Sequence, residues 1–152
     1  MLSVPSQVRL LLNSQVQCVL ATVSADLSPH SALMAYSTSD DLKQVYLASP
    51  LLSRKSTNMN VRPQVSLLFD NRTGNLKDHG DGLLVTARGS AAPASSVNWD
   101  RINGAFLNKN PNMEKFLLDP GVGLFAVDID MYESVLGYAS PRSWDPESDE
   151  GT

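Results

Sequence analysis

The sequence predicts a mainly β protein: a closed or nearly closed antiparallel barrel of six to seven strands with short helices, paired with a second copy. Three observations carry this. Six segments are rich in β-branched and aromatic residues, and turn residues bound each of them. The links between the first three are short enough for a meander. Several segments are apolar on both faces, whereas an isolated antiparallel sheet keeps one face polar. A barrel interior covers one face, and a partner subunit would cover the other.

The elements follow in order. Near the N-terminus, Val4, Val8, Leu11 and Leu12 recur at helical spacing with Pro5 in the first turn, which predicts a short amphipathic helix. "VQCVLATVS" (16–24) is the first strand, "ADLSP" a turn, "HSALMAYST" (30–38) the second strand, and "SDD" (39–41) turns it back. "KQVYLAS" (43–49) alternates, with Val45 and Leu47 on one face. "SPLLSRKSTNM" (49–59) reads as a short helix with Ser49 or Ser53 as its N-cap, stopped by Arg62-Pro63. "QVSLLFDN" (64–71) is a strand and "RTGNLKDHGD" (72–81) a polar loop. "GLLVTARGSAAPAS" (82–95) is a long strand in which Gly89 marks a bulge or bend. Ser95 or Ser96 then caps a helix whose Trp99, Ile102 and Phe106 share a face. Asn110-Pro111 interrupts it, and "NMEKFLL" adds a turn or two. In "VGLFAVDIDMYESVLGY" (122–138), Phe125, Val127, Ile129 and Met131 alternate with Asp128 and Asp130. Residues 1–140 form one domain; residues 141–152 are a frayed polar tail in which Trp144 is a candidate to dock.

Composition narrows the function. The chain has 152 residues, a net charge of −4 and a pI of about 5.0, which suits one domain and argues against general nucleic-acid binding. No segment is long enough to span a membrane, and the N-terminus, with Arg9 inside its apolar part, does not read as a signal peptide. The single cysteine, Cys18, excludes an internal disulfide, fits a reducing cytoplasm and reads as a small buried hydrophobe. The two histidines, His30 and His79, have no carboxylate or cysteine at metal-ligand spacing. Asp128 and Asp130 share a strand face, the pattern of a solvated face rather than of opposed catalytic acids.

The stretch 49–59 is the exception in an acidic chain. Arg54 and Lys55 stand among Ser49, Ser53, Ser56, Thr57 and Asn58. A helix start offers free N–H groups and partial positive charge; adding Arg and Lys makes a place for a phosphate. The plainer reading is a solvated helix start with two surface cations, and spacing alone leaves both open.

"LATVSADLSPHSALMAYSTSDDLKQVYLASPLLSRKSTNMNVRPQVSLLFDN" resembles the pyridoxamine 5′-phosphate oxidase-like, FMN-binding split-barrel superfamily. A "LATVS" strand, a turn, a "P-H" opening of strand two, "SRKSTNM" and "NVRPQVSLL" occur in the family's order, over residues 16–92, with a fainter echo in "ESVLGYASPRSW". The resemblance implies a six-stranded split barrel, a homodimer and FMN at the interface between subunits. It maps the family's phosphate-binding pair onto Arg54 and Lys55, phosphate or ribityl contacts onto Ser49 and Ser53, and the helix Asn onto Asn58. Leu33, Met34 and Ala35 match the strand whose backbone lines the isoalloxazine ring, and Asn71 and Arg72 would come from the facing subunit.

The departures narrow the implied chemistry. Leu33 stands where the true oxidase carries a phosphate-holding Arg, and a flavin-touching Gln falls near Leu84. The oxidase's basic and aromatic C-terminal signature is missing from "GYASPRSWDPESDEGT". The expectation is therefore an FMN-dependent oxidoreductase acting on another small molecule, with a nicotinamide cofactor as a candidate electron donor and no identifiable acid or base. The alternatives are a flavin-binding sensor without turnover, or a haem- or deazaflavin-binding relative. The haem-degrading branch leans on a histidine near its C-terminus, and both histidines here precede residue 80.

Overall fold

The structure, a computed structural model, describes residues 1–148. Helix α1 spans Val4–Ser14; the Ser3 hydroxyl accepts from the Ser6 N–H and caps it. Val4, Val8, Leu11 and Leu12 are buried as their period predicts. Gln7 is buried with them and accepts a 2.6 Å hydrogen bond from the Ser134 hydroxyl, which removes the cost of burying either group.

Seven strands follow: β1 Gln17–Val23, β2 Pro29–Thr38, β3 Gln44–Pro50, β4 Gln64–Asp70, β5 Leu83–Pro93, β6 Val122–Leu136 and β7 Arg142–Trp144. Their order is β3-β2-β1-β4-β5-β6-β7, all antiparallel, and β3 also pairs with β6, which closes a six-stranded barrel. One side of β6 is shared: Val122–Asp128 pair with β3 and Tyr132–Ser134 with β7. Leu20, Tyr36, Leu47, Leu67, Val85 and Phe125 fill the interior.

The apolar outer faces have two explanations. Helix α4, Trp99–Lys109, lays Ile102 and Phe106 over Tyr46, Leu124 and Ala126 on the outside of β3 and β6. Burying two such side chains contributes on the order of 1.5–3 kcal/mol each. Among the described residues, no helix covers Val19, Leu33, Leu68, Leu84 and Val135 on β1, β2, β4, β5 and β6, and Leu33 is 63% exposed.

Several elements differ from the sequence expectation. The alternation in β6 breaks: Arg88 pairs with Met131 and Gly89 with Ile129, so Asp130 is an extra, bulged residue. Tyr132 therefore takes the inward place, buried, and Met131 is only half-buried. Gly89 sits at the expected bulge because a Cβ there would run into the Asp128 carbonyl. The polar loop 72–81 contains a one-turn helix, α3, Asp78–Asp81. The Asp78 carboxylate organises the approach, accepting from the Thr73 N–H, the Thr73 hydroxyl and the Gly74 N–H at 2.8, 2.6 and 2.9 Å.

Asn98, not Ser95 or Ser96, is the N-cap of α4, and its side chain folds back to accept from the Ser95 N–H at 2.7 Å. A 3₁₀ turn, Pro111–Met113, and α5, Glu114–Leu117, supply the turns expected after Asn110. The start of the tail is not frayed: β7 pairs with β6, and Trp144 docks on Tyr132, rings stacked 5.5 Å apart. Residues 149–152 of the expected tail lie outside the described residues. Among the described residues, no helix is long and apolar enough to cross a membrane.

Candidate functional site

Helix α2, Arg54–Val61, follows β3 through a corner built of hydroxyls. Ser53 is the N-cap, its Oγ accepting from the Ser56 N–H at 3.3 Å. Ser49 is fully buried, and its hydroxyl lies 3.0 Å from the Ser53 Oγ and accepts from the Ser56 hydroxyl at 2.7 Å. The Ser56 Oγ also lies 2.7 Å from the Pro50 carbonyl oxygen and shares its one proton between the two acceptors. These hydroxyls turn under the helix and fix its starting angle. The cations lie on the other side: Arg54 is exposed, Lys55 half-buried, and neither has an ion pair among the described residues. First-turn N–H groups have no intrahelical acceptor, so this end of α2 is electropositive.

Arg54, Asn58 and Arg62 are spaced by four and run as one stripe down the helix. Asn58 donates from Nδ2 to the Thr22 hydroxyl at 3.0 Å, a buried contact that pins α2 to β1. Arg62 donates from Nε to the Ser24 carbonyl at 3.1 Å and from Nη2 to the Ala25 carbonyl at 3.0 Å, clamping the β1–β2 turn. Arg54 and His30 line one groove of about 460 Å³ with Ser24, Ala25, Asp26, Ser28 and Pro29. The Ser24 hydroxyl and the Ser28 N–H bind the Asp26 carboxylate, and these bonds, that of Ser24 foremost, hold its pKa below the usual carboxylate range.

Of the three strand residues, Leu33 points outward, Met34 is buried opposite Cys18, and Ala35 is half-buried. β2 meets β3 only over Tyr36–Thr38, so among the described residues one edge of Pro29–Ala35 has no strand partner. Its backbone donors and acceptors are open, and its Pro29–His30 end enters the groove.

Asn71 and Arg72 lie elsewhere. Asn71 accepts from the Leu83 N–H at 2.8 Å, and Arg72 forks onto Asp70 at 2.7 and 2.5 Å, which holds the Asp70 carboxyl below its ordinary range. Arg72 shares a second hollow with Leu33 and Leu68 on the uncovered sheet face. One chain thus brings Arg54 and His30 to one groove, leaves Ser53 and Lys55 beside Arg54 at the start of α2 outside that groove's lining, and sets Asn71 and Arg72 apart. His79 is exposed in α3, and no metal-holding group of three His, Cys, Asp or Glu occurs among the described residues. Sequence reading used Arg62 only as a helix stop; the four-residue spacing in "RKSTNMNVR" carries the signal of its clamp.

Two buried titratable groups lie outside this site. Burial pushes the Cys18 thiol up to about 12, which keeps it protonated and inert. Lys109, at the end of α4, donates to the Leu12 carbonyl at 3.0 Å and sits 3.4 Å over the Tyr36 ring; burial lowers its pKa to about 8.

The family profile described as pyridoxamine 5′-phosphate oxidase matches residues 4–130. No curated protein matches the chain in sequence. Among solved structures, the chain is similar to a haem-binding protein from Mycobacterium smegmatis, with a TM-score of 0.86 and 16% identity. That match covers 97% of this chain but only 60% of the other, so this chain spans less than two thirds of that protein. HutZ, the haem storage protein of Vibrio cholerae, matches with a TM-score of 0.75 and 15% identity, covering 89% of this chain and 95% of that one. General Stress Protein 26 of Bacillus anthracis gives a TM-score of 0.72 and 22% identity, covering 95% and 99%. At these identities the likenesses report the fold.

Proposed function

The chain belongs to the pyridoxamine 5′-phosphate oxidase family, and we propose that it binds FMN and acts as a flavin-dependent oxidoreductase on a small molecule other than pyridoxamine 5′-phosphate. One observation carries the reading: two adjacent cations, neither in an ion pair among the described residues, at the Ser53-capped start of α2, where Arg54 opens on a groove. The residues fit a phosphate. The Arg54 fork takes two oxygens, Lys55 adds a point charge, and first-turn N–H groups complete the cradle. The bonded hydroxyls of buried Ser49 and Ser56 and half-buried Ser53 hold that cradle still, so binding costs little reorganisation. The open edge of β2 through Leu33, Met34 and Ala35 offers backbone groups to the rim of a flat ring. When bound, FMN supplies the redox chemistry, and the protein orients it and excludes water. A nicotinamide cofactor is the proposed electron donor.

The same proposal includes a homodimer. The uncovered face with Val19, Leu33, Leu68, Leu84 and Val135 is the surface a second copy would bury, and it would bring Asn71 and Arg72 of each subunit towards the other's cofactor. A reducing cytoplasm suits the buried, unpaired Cys18.

A second reading, haem binding, draws on neighbours named for haem binding and storage and on His30, which lies beside Arg54 where a propionate could pair. The visible spectrum of the purified protein separates the two. Flavin bands, and FMN binding weakened at least about tenfold by Arg54→Ala/Lys55→Ala, support the first. A Soret band supports the second, and binding of a deazaflavin instead of FMN points to a third cofactor. Bound FMN that no nicotinamide cofactor reduces would leave a flavin-binding module without turnover.

A further inference from the structure

We propose that His30 is a second, proton-dependent anchor for the anionic group held by Arg54, so that FMN binding takes up a proton at this imidazole. The inference rests on the FMN reading above and adds to it a residue and a pH dependence.

The geometry begins with strand register. His30 stands directly opposite Thr22, and Thr22 is the residue that Asn58 grips from α2. The cross-strand neighbour of His30 is therefore fastened to the helix that carries Arg54. Arg62, eight residues after Arg54 in chain order, clamps the turn leading into His30 through two carbonyls. Asn58 and Arg62 thus fix α2 against the β1–β2 hairpin, and Arg54 and His30 line the same groove.

The charges facing His30 decide what it does. From α2 they are Arg54 and, further down, Arg62; from the turn, Asp26. The Ser24 hydroxyl and the Ser28 N–H engage the Asp26 carboxylate, and no hydrogen bond joins it to His30 among the described residues. Arg62 spends its donors on two carbonyls. The groove thus carries one cation, Arg54, and one carboxylate, Asp26, beside His30. A phosphate held between Arg54 and His30 gives an imidazolium an anionic partner, which favours the charged form. Histidine is the residue type whose charge changes in the physiological range, so a proton taken up with the phosphate is readable there.

The test is a titration of FMN by fluorescence quenching from about pH 6 to about pH 8, on wild type, His30→Gln and Arg54→Ala. Riboflavin, which lacks the phosphate, is the control ligand. The expected result is that wild-type affinity for FMN falls about tenfold more over this range than that of His30→Gln, a difference of one decade. Arg54→Ala weakens binding while keeping a pH slope, and riboflavin affinity is the same for wild type and His30→Gln. If His30→Gln binds FMN with the wild-type pH profile, the inference is overturned while the flavin reading stands. If no protein binds FMN at any pH, the flavin reading falls and takes this inference with it.

Discussion

Asn58 and Thr22 form a buried side-chain hydrogen bond of 3.0 Å that joins α2 to β1. The helix it anchors carries Arg54 and Lys55, so the bond ties stability to the proposed cofactor site. Asn58→Leu leaves the Thr22 hydroxyl buried without a partner and should cost about 1–3 kcal/mol. Adding Thr22→Val should recover most of that loss, since both polar groups are then gone. Urea unfolding of the single and double variants measures the coupling, and FMN affinity should stay reduced in both Asn58 variants.

The two arginines of the stripe should separate function from stability. Arg54 is exposed and has no ion pair among the described residues, so Arg54→Ala should change unfolding free energy by less than about 0.5 kcal/mol while lowering FMN affinity. Arg62→Ala removes two bonds to turn carbonyls and should cost about 1–2 kcal/mol. Equal losses of stability in the two variants would contradict this division.

Gly89→Ala should destabilise the barrel by about 1–3 kcal/mol, because the new methyl meets the Asp128 carbonyl at the bulge. Gly104→Ala, on α4 with open space around the position, should instead be neutral or stabilising. Thermal unfolding of the pair reads the contrast.

Lys109 predicts a dependence of stability on alkaline pH. Burial lowers its folded pKa to about 8 from 10.5, so above pH 8 the folded state holds fewer protons than the unfolded chain. Stability from this group therefore rises as pH climbs through the folded pKa and levels off above the unfolded one. Lys109→Met should remove that rise. The measurement is the difference in urea midpoint between wild type and variant, followed from neutral pH to about pH 10.

Trp144 tests the docked β7. Its ring stacks on Tyr132, while its Nε1–H is buried without an acceptor among the described residues. Trp144→Phe keeps a ring and removes the unpaired donor, so it should cost less than about 1 kcal/mol, while Trp144→Ala should cost about 1–3 kcal/mol. Thermal unfolding of both variants checks the order.

Much of this architecture was legible in local pattern. Alternation and β-branched residues marked β1, β3 and β4 to within a residue or two, and Ser53 with Arg62-Pro63 bounded α2. The Arg54-Lys55 pair was visible because two adjacent cations are conspicuous in an acidic chain. The features that escaped depend on contacts distant in sequence. Met131 was expected to face inward because a period of two carries no sign of the bulge at Asp130. β7 was read as frayed because its polar composition gives no hint that Tyr132 offers a ring to stack on. His30 and Arg54 are 24 positions apart in the numbering, and only the clamp of α2 on the hairpin brings them to one groove.

The pairing of β3 with β6 has a consequence for biosynthesis. It joins residues 44–50 to residues 122–128, and Gln7 waits for Ser134. A chain growing on the ribosome can form its first hairpins early, yet cannot close the ring until most of its length has been made. During that interval β3 presents an unpaired edge to neighbouring nascent chains, the kind of edge on which strands misassociate. Closure must also meet the entropic cost of joining distant segments, which slows it relative to helical proteins of this size. Yield in cells should therefore respond to growth temperature and chaperone supply more than the stability of the finished barrel would suggest.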